Sequence, residues 1–303
     1  MEAAFFLPDA PIDRQAHRGL FTVAVSGLAC PGSRAENTTT NLLNFREIGS
    51  GAPMILLHGA RLDHRHMLDA VEPAFHGNDR WRRIYVDLPG CGQSSGFDHV
   101  ASQDDVLAEI LRVMDATCAG ERCAVLGESR GAYLAEGLAF AHPARVSGVT
   151  LIVPGGNSEQ SRAEMPTPIT LHDDGTDLGA LEPALQGRAA RLVVRTAAII
   201  DKIRQLKLPA ASLHDAALEA RVCERFEFTF HAEMTQGVFD RPSLIASGRQ
   251  DSIAGYRDAL DMQVRFPRAS LALLDCAGHA PGWERPDLFT ALIRDWLDRL
   301  HGQ

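Results

Sequence analysis

The sequence predicts an α/β protein: a mostly parallel sheet with helices on both faces and a helical insertion ahead of its last strands. Three observations carry this. Short continuous apolar runs at Met54–Leu57, Arg83–Val86, Cys123–Leu126 and Val149–Val153 read as strands buried on both faces. Helical spacing fills the gaps between the later ones, and a strand, helix, strand rhythm demands parallel pairing with right-handed crossovers. Finally, the run Cys123–Leu126 passes straight into Gly127-Glu128-Ser129-Arg130-Gly131 and then into small helical residues. A G-x-S-x-G turn this tight holds its serine in a strained conformation with the hydroxyl exposed, and glycines flank it because neighbouring backbone leaves no room for Cβ atoms.

Taken in order, residues 1 to about 18 carry Pro8, Pro11 and several charges and read as an irregular arm. Phe21–Ala29 and Leu42–Ile48 are predicted strands, the second closed by Gly49-Ser50-Gly51-Ala52-Pro53 in an antiparallel start. Met54–Leu57 stops at His58-Gly59-Ala60-Arg61, and Arg83–Val86 at the loop Asp87-Leu-Pro-Gly-Cys-Gly-Gln-Ser94. Ser102 with Asp105 resembles a capping box, after which Val106, Ile110, Val113 and Met114 keep helical spacing. A helix from the serine turn to about His142 leads to Val149–Val153.

Between Pro154 and Gly237 the rhythm breaks. Leu192, Val193, Thr196, Ile199, Ile200, Ile203 and Leu206 form one helical stripe, expected mostly to pack on the core, and Asp215–Glu224 suggests another helix. The expected division is therefore a core of residues 1–154 and 238–303 and a helical cap at 155–237. Strands return at Ser243–Ala246 and Ser270–Leu274, separated by a helix over Gly255–Phe266. The last helix has Pro286 in its first turn and a broad apolar face from Leu288 to Leu300.

Composition narrows the function. At 303 residues and 45% hydrophobic content the chain buries a large core. A net charge of −9 without a basic run argues against nucleic acid or an anionic membrane as partner, and the N-terminal apolar run is too short for a signal peptide or a span. A cytoplasmic location is the expectation. The six cysteines show no paired spacing and no histidine partners at metal spacing, so reduced thiols and no metal site are expected.

Ser129, Asp251 and His279 each follow directly on a predicted parallel strand, and loops at the carboxyl ends of such strands converge on one edge. A serine hydroxyl is a poor nucleophile until a base takes its proton, and a histidine base needs a carboxylate to fix its tautomer. Ser129 is thus the candidate nucleophile, His279 the base and Asp251 the acid. The N–H groups of Arg130 and Ala60 are the candidate oxyanion donors. His58, Arg61 and the Arg130 side chain are candidates for substrate contact, with a loop-fastening role as the other reading of His58 and a solvated or ion-paired guanidinium as that of Arg130.

These motifs together, His58-Gly59, the Asp87–Ser94 loop, Gly-Glu-Ser-Arg-Gly, Gly248-Arg-Gln-Asp251 and Gly278-His279, resemble the α/β-hydrolase superfamily. The similarity is to its branch with a cap after the sixth strand, and it covers about Leu42–Val153 and Phe228–Leu300. It implies an eight-stranded sheet, an enzyme without cofactor, and a small-molecule substrate. Serine at the nucleophile position argues against epoxide hydrolases and dehalogenases. No carboxylate directly follows Val149–Val153, where some relatives carry the acid, which leaves Asp251. Arg130 stands where many relatives have an aromatic residue or methionine.

The expected activity is cleavage of a carboxylic ester or lactone through an acyl-enzyme. Alternatives are carbon–carbon bond hydrolysis or lyase or cyclase chemistry with the same triad, or a ligand-binding receptor on the same fold. Oligomeric state, a homodimer included, is open.

Overall fold

The computed structural model describes residues 41–155 and 158–301. The strand expected at Phe21–Ala29 and the arm before it lie outside the described residues. Phe45–Ile48 (β1), Ala52–Leu57 (β2), Trp81–Val86 (β3), Cys123–Glu128 (β4) and Val146–Ile152 (β5) precede the long insertion. Within it, His172–Asp173 (β6) and Val194–Arg195 (β7) form a short parallel pair, so this segment is not wholly helical. Ser243–Gly248 (β8) and Ala269–Leu274 (β9) complete a sheet of seven strands among the described residues, ordered β1-β3-β2-β4-β5-β8-β9. Only β1 runs antiparallel, against β3.

The order places a switch point between β2 and β4. From β2 the chain steps outward to β3, then returns to β4 and continues to β5, β8 and β9 on the other side. Connections leaving β2 and β4 therefore diverge and open a crevice at the carboxyl edge.

Period-two alternation divides the strands between two cores. Ile55, Leu57 and Val125 pack with Gln103–Cys118 (α2) and Arg130–Ala141 (α3), whereas Met54, Leu56, Ala124 and Leu126 pack with His64–Val71 (α1) and Trp296 and Leu297 of the last helix. The helix α2 starts at the expected capping box: Ser102 Oγ accepts from Asp105 N at 3.2 Å, and Asp105 Oδ2 accepts from Ala101 N at 2.9 Å. The helix expected over Gly255–Phe266 is shorter, Arg257–Asp261 followed by a 3₁₀ turn at Met262–Val264.

The insertion straddles the sheet. Leu185, Leu192, Ile199, Ile200 and Ile203 join the α1 side, while Leu218, Val222, Phe228 and Met234 join the α2 and α3 side. The expected stripe is split in its backbone. Leu192 and Val193 are non-helical, Val193 O accepting from Leu171 N at 2.8 Å, and the helix begins at Ala197 with Thr196 Oγ1 as its cap. No helix among the described residues is long and apolar enough to cross a membrane.

Candidate active site

Ser129 occupies the turn between β4 and α3 at φ 55°, ψ −116°, a conformation that a non-glycine residue holds only under surrounding constraint. That constraint is visible at both glycines. A Cβ on Gly127 would lie 2.0 Å from the Gly131 carbonyl oxygen, and one on Gly131 would lie 2.2 Å from that of Leu57. The turn is also bonded across the sheet, Ser129 N donating to Ile152 O at 2.9 Å. Glu128 and Arg130 are buried while Ser129 keeps partial exposure.

Asp251 and His279 come from the loops after β8 and β9. Gly248 lets the second loop cross the first, since a Cβ there would meet the Gly278 oxygen at 2.2 Å; Gln250 N then donates to Ala277 O at 3.0 Å. His279 Nδ1 donates to Asp251 Oδ2 at 2.7 Å. The other oxygen, Oδ1, accepts from Ile253 N at 2.8 Å and Ala254 N at 3.0 Å, so the fully buried carboxylate has one orientation. Burial alone would lower the His279 pKa, but the charge and hydrogen bond of Asp251 outweigh it and hold it above 6.5.

The loop after β2 lies against Ser129, a Cβ on Gly59 standing 3.3 Å from Ser129 Cβ. Ala60 is exposed beside it and Arg61 takes a left-handed φ of 57°. His58 uses both ring nitrogens within this frame. Nδ1 donates to Gly59 O at 2.7 Å, and Nε2 accepts from Leu88 N at 3.0 Å. Complete burial holds its pKa below the ordinary value, so it is a neutral fastener between two loops.

Several neighbours were not read from the sequence. Glu128 pairs with His66 Nε2 at 2.8 and 3.0 Å, and His66 meets the Trp283 ring edge-on at 4.7 Å. Desolvation pushes the Glu128 pKa up, but His66, with help from Lys207 and His279, brings it down to about 2. Lys207 ends a π-helical turn, Ile203–Lys207, and its Nζ sits 4.8 Å from the Trp283 ring centre. Glu284 accepts from Gly278 N at 2.6 Å and Val193 N at 2.7 Å, tying the His279 loop to the insertion. The only sequence cue among these is Glu128, which stands inside the serine motif; the others meet through tertiary packing.

Asp63, His64 and Asp87 bring ligand-type atoms within 4.8 Å of one another. Their acceptors are already taken. Asp63 caps α1 and binds Arg65, while Asp87 accepts from Asn44, His64 and Gln93. This cluster fastens loops. A cavity of about 420 Å³ lined by Phe140, Phe230, Met234 and Val238 lies at the far end of α3 from Ser129.

A parallel sheet with a strained serine turn at its switch point, and an aspartate–histidine pair on two later loops, defines the α/β-hydrolase fold. The chain belongs to the alpha/beta hydrolase family, whose model matches residues 54–292. It is 28% identical over 263 residues to the pimeloyl-[acyl-carrier protein] methyl ester esterase of Aeromonas hydrophila, covering 84% of this chain and 99% of that one. Similarity to a 2-hydroxy-6-oxononadienedioate/2-hydroxy-6-oxononatrienedioate hydrolase of Pseudomonas putida is 25% identity over 264 residues, 84% and 91% of the two chains. Among solved structures, an alpha/beta superfamily hydrolase from Oenococcus oeni PSU-1 aligns at a TM-score of 0.77 with 24% identity, covering 86% of this chain and 98% of that one, a likeness of fold. Family and relatives together make this chain a hydrolase.

Proposed function

We propose that the chain hydrolyses a carboxylic ester or lactone with Ser129 as nucleophile, His279 as general base and Asp251 as its orienting acid. The observation that carries the reading is the strained Ser129 turn on the same sheet edge as the 2.7 Å Asp251–His279 pair. Because Nδ1 of His279 is held by Asp251, Nε2 is the nitrogen left to take the Ser129 proton. Ser129 Oγ attacks the carbonyl carbon. Arg130 N–H and Ala60 N–H stabilise the oxyanion, and collapse expels the alcohol, which takes the proton back from His279. Water, activated by the same nitrogen, then releases the acid and frees the serine. Residues 155–237 act as a cap over this crevice.

Carbon–carbon bond hydrolysis by the same residues is the second reading. What favours it is the similarity to dienedioate hydrolases together with a buried arginine next to the nucleophile.

Intact-mass spectrometry after a fluorophosphonate probe, on wild type and Ser129→Ala in parallel, tests the proposal. An adduct on wild type alone is expected; equal labelling of the variant sinks it. Esters, lactones and meta-cleavage products then separate the two reactions.

A further inference from the structure

We propose that Arg130 and Gln103 form a binding site for a carboxylate carried by the substrate, so that the molecule cleaved at Ser129 is an anion. This deepens the serine-hydrolase reading and rests on it for the chemistry.

Arg130 is permanently charged, yet the residue is only 8% exposed. A buried cation is costly unless a partner meets it. Among the described residues Arg130 forms no ion pair, its Nε has no hydrogen-bond partner, and its Nη2 reaches Gln103 Oε1 only at 3.5 Å, the outer limit of a hydrogen bond. Gln103 is wholly buried, and its Nε2 is likewise without a partner. Two adjacent side chains thus present unused donors of the kind that a carboxylate accepts.

Glu219, whose ionisation Arg130 favours, forms no direct ion pair with it. Glu219 is ion-paired with Arg61 at 3.4 Å and with His214. Burial would raise the Glu219 pKa, but His214, Arg130 and Arg61 pull it below its ordinary value. Glu219 is ionised within reach of both arginines, so two guanidinium groups share one carboxylate and the pair keeps a net positive charge. Arg61, with its side chain 29% exposed, is its more open member.

Position follows from the chain. The Arg130 Cα lies one peptide unit, about 3.8 Å, from that of Ser129. An anion on its guanidinium is held by the residue that directly follows the attacking serine. A site of this kind discriminates by what it leaves unpaired: a neutral ester in the crevice leaves both donors buried and unused.

The test uses the full chain in two arms. In the first, Ser129→Ala protein is titrated calorimetrically with monomethyl glutarate and with dimethyl glutarate. The monoanion is expected to bind about tenfold to a hundredfold more tightly, the range that a hydrogen bond to a charged group is worth. Adding Arg130→Met removes this preference, and Arg130→Lys restores part of it. Equal binding of the two ligands, or a preference that survives Arg130→Met, overturns the proposal. Should Arg130→Met not fold, Gln103→Leu decides: a weakened preference supports the site, an unchanged one overturns it. In the second arm, wild type hydrolyses mono-p-nitrophenyl glutarate with a higher kcat/KM than p-nitrophenyl butyrate, and Arg130→Met collapses that ratio. Binding preference with no turnover and no fluorophosphonate adduct leaves the anion site standing and removes the serine chemistry.

Discussion

Nδ1 of His279 is 2.7 Å from Oδ2 of Asp251, while two backbone N–H groups hold the other carboxylate oxygen. The pair therefore has one geometry and one tautomer. A histidine must be neutral to act as a base, and His279 has its pKa held above 6.5, where burial alone would lower it. Activity is expected to rise with pH through a midpoint above that of an ordinary histidine. Asp251→Asn lowers the midpoint and cuts kcat by about 10⁴-fold, the cost of the wrong tautomer. A pH profile of kcat/KM on both proteins checks this.

Two charged neighbours act on the same midpoint with opposite signs. Glu128 favours the His279 imidazolium and Lys207 opposes it. Glu128→Gln is expected to move the acid limb to lower pH, and Lys207→Met to higher pH. Shifts in the same direction would show that the two substitutions act by disturbing structure.

Packing at the serine turn sets a stability prediction. Gly127→Ala drives a methyl group to 2.0 Å from a backbone oxygen, which no rotamer change relieves. A loss of more than about 2 kcal/mol in denaturant unfolding is expected, with Gly131→Ala similar. Gly77→Ala, where nothing lies within 4 Å, is limited to the strain of its φ of 77° and should cost about 1–2 kcal/mol.

Acid stability depends on the fastened loops. Desolvation works against ionised Asp87, but hydrogen bonds from His64 and Gln93 bring its pKa from 3.8 down to about 2. A lowered carboxylate contributes stability that is fully present above its unfolded value and is lost as pH falls through the folded one. The difference corresponds to about 2 kcal/mol. Unfolding midpoints measured from pH 5 to pH 2 should fall less steeply for Asp87→Asn than for wild type, and the variant should be the less stable protein near neutrality.

Much of this molecule is legible in the sequence because the signals are local. An apolar run buried on both faces, a glycine that a close backbone approach requires, and a serine or threonine that caps a helix are decided by neighbouring residues. Ser129, Asp251 and His279 could be named because each directly follows such a run, and the topology of parallel strands brings those ends together. The β6–β7 pairing was invisible because two-residue strands have no periodicity to read. Leu192 and Val193 keep helical spacing in sequence yet lie outside the helix, Leu192 N closing a turn on Ala189 O and Val193 O accepting from Leu171 N, 22 residues away.

What the sequence determined by itself is a mostly parallel sheet and the identity of three residues at its carboxyl edge, whereas the strand order with its switch point is read from the structure. Tertiary structure alone decided what surrounds them. His66 on Glu128, Trp283 under Lys207, Glu284 on the His279 loop, and a buried Arg130 beside Ser129 whose Nη2 stands 3.5 Å from Gln103 Oε1 are all products of side-chain packing. The physical reason is that desolvation and charge pairing depend on distance in space, and no spacing along the chain records which polar groups lose water together.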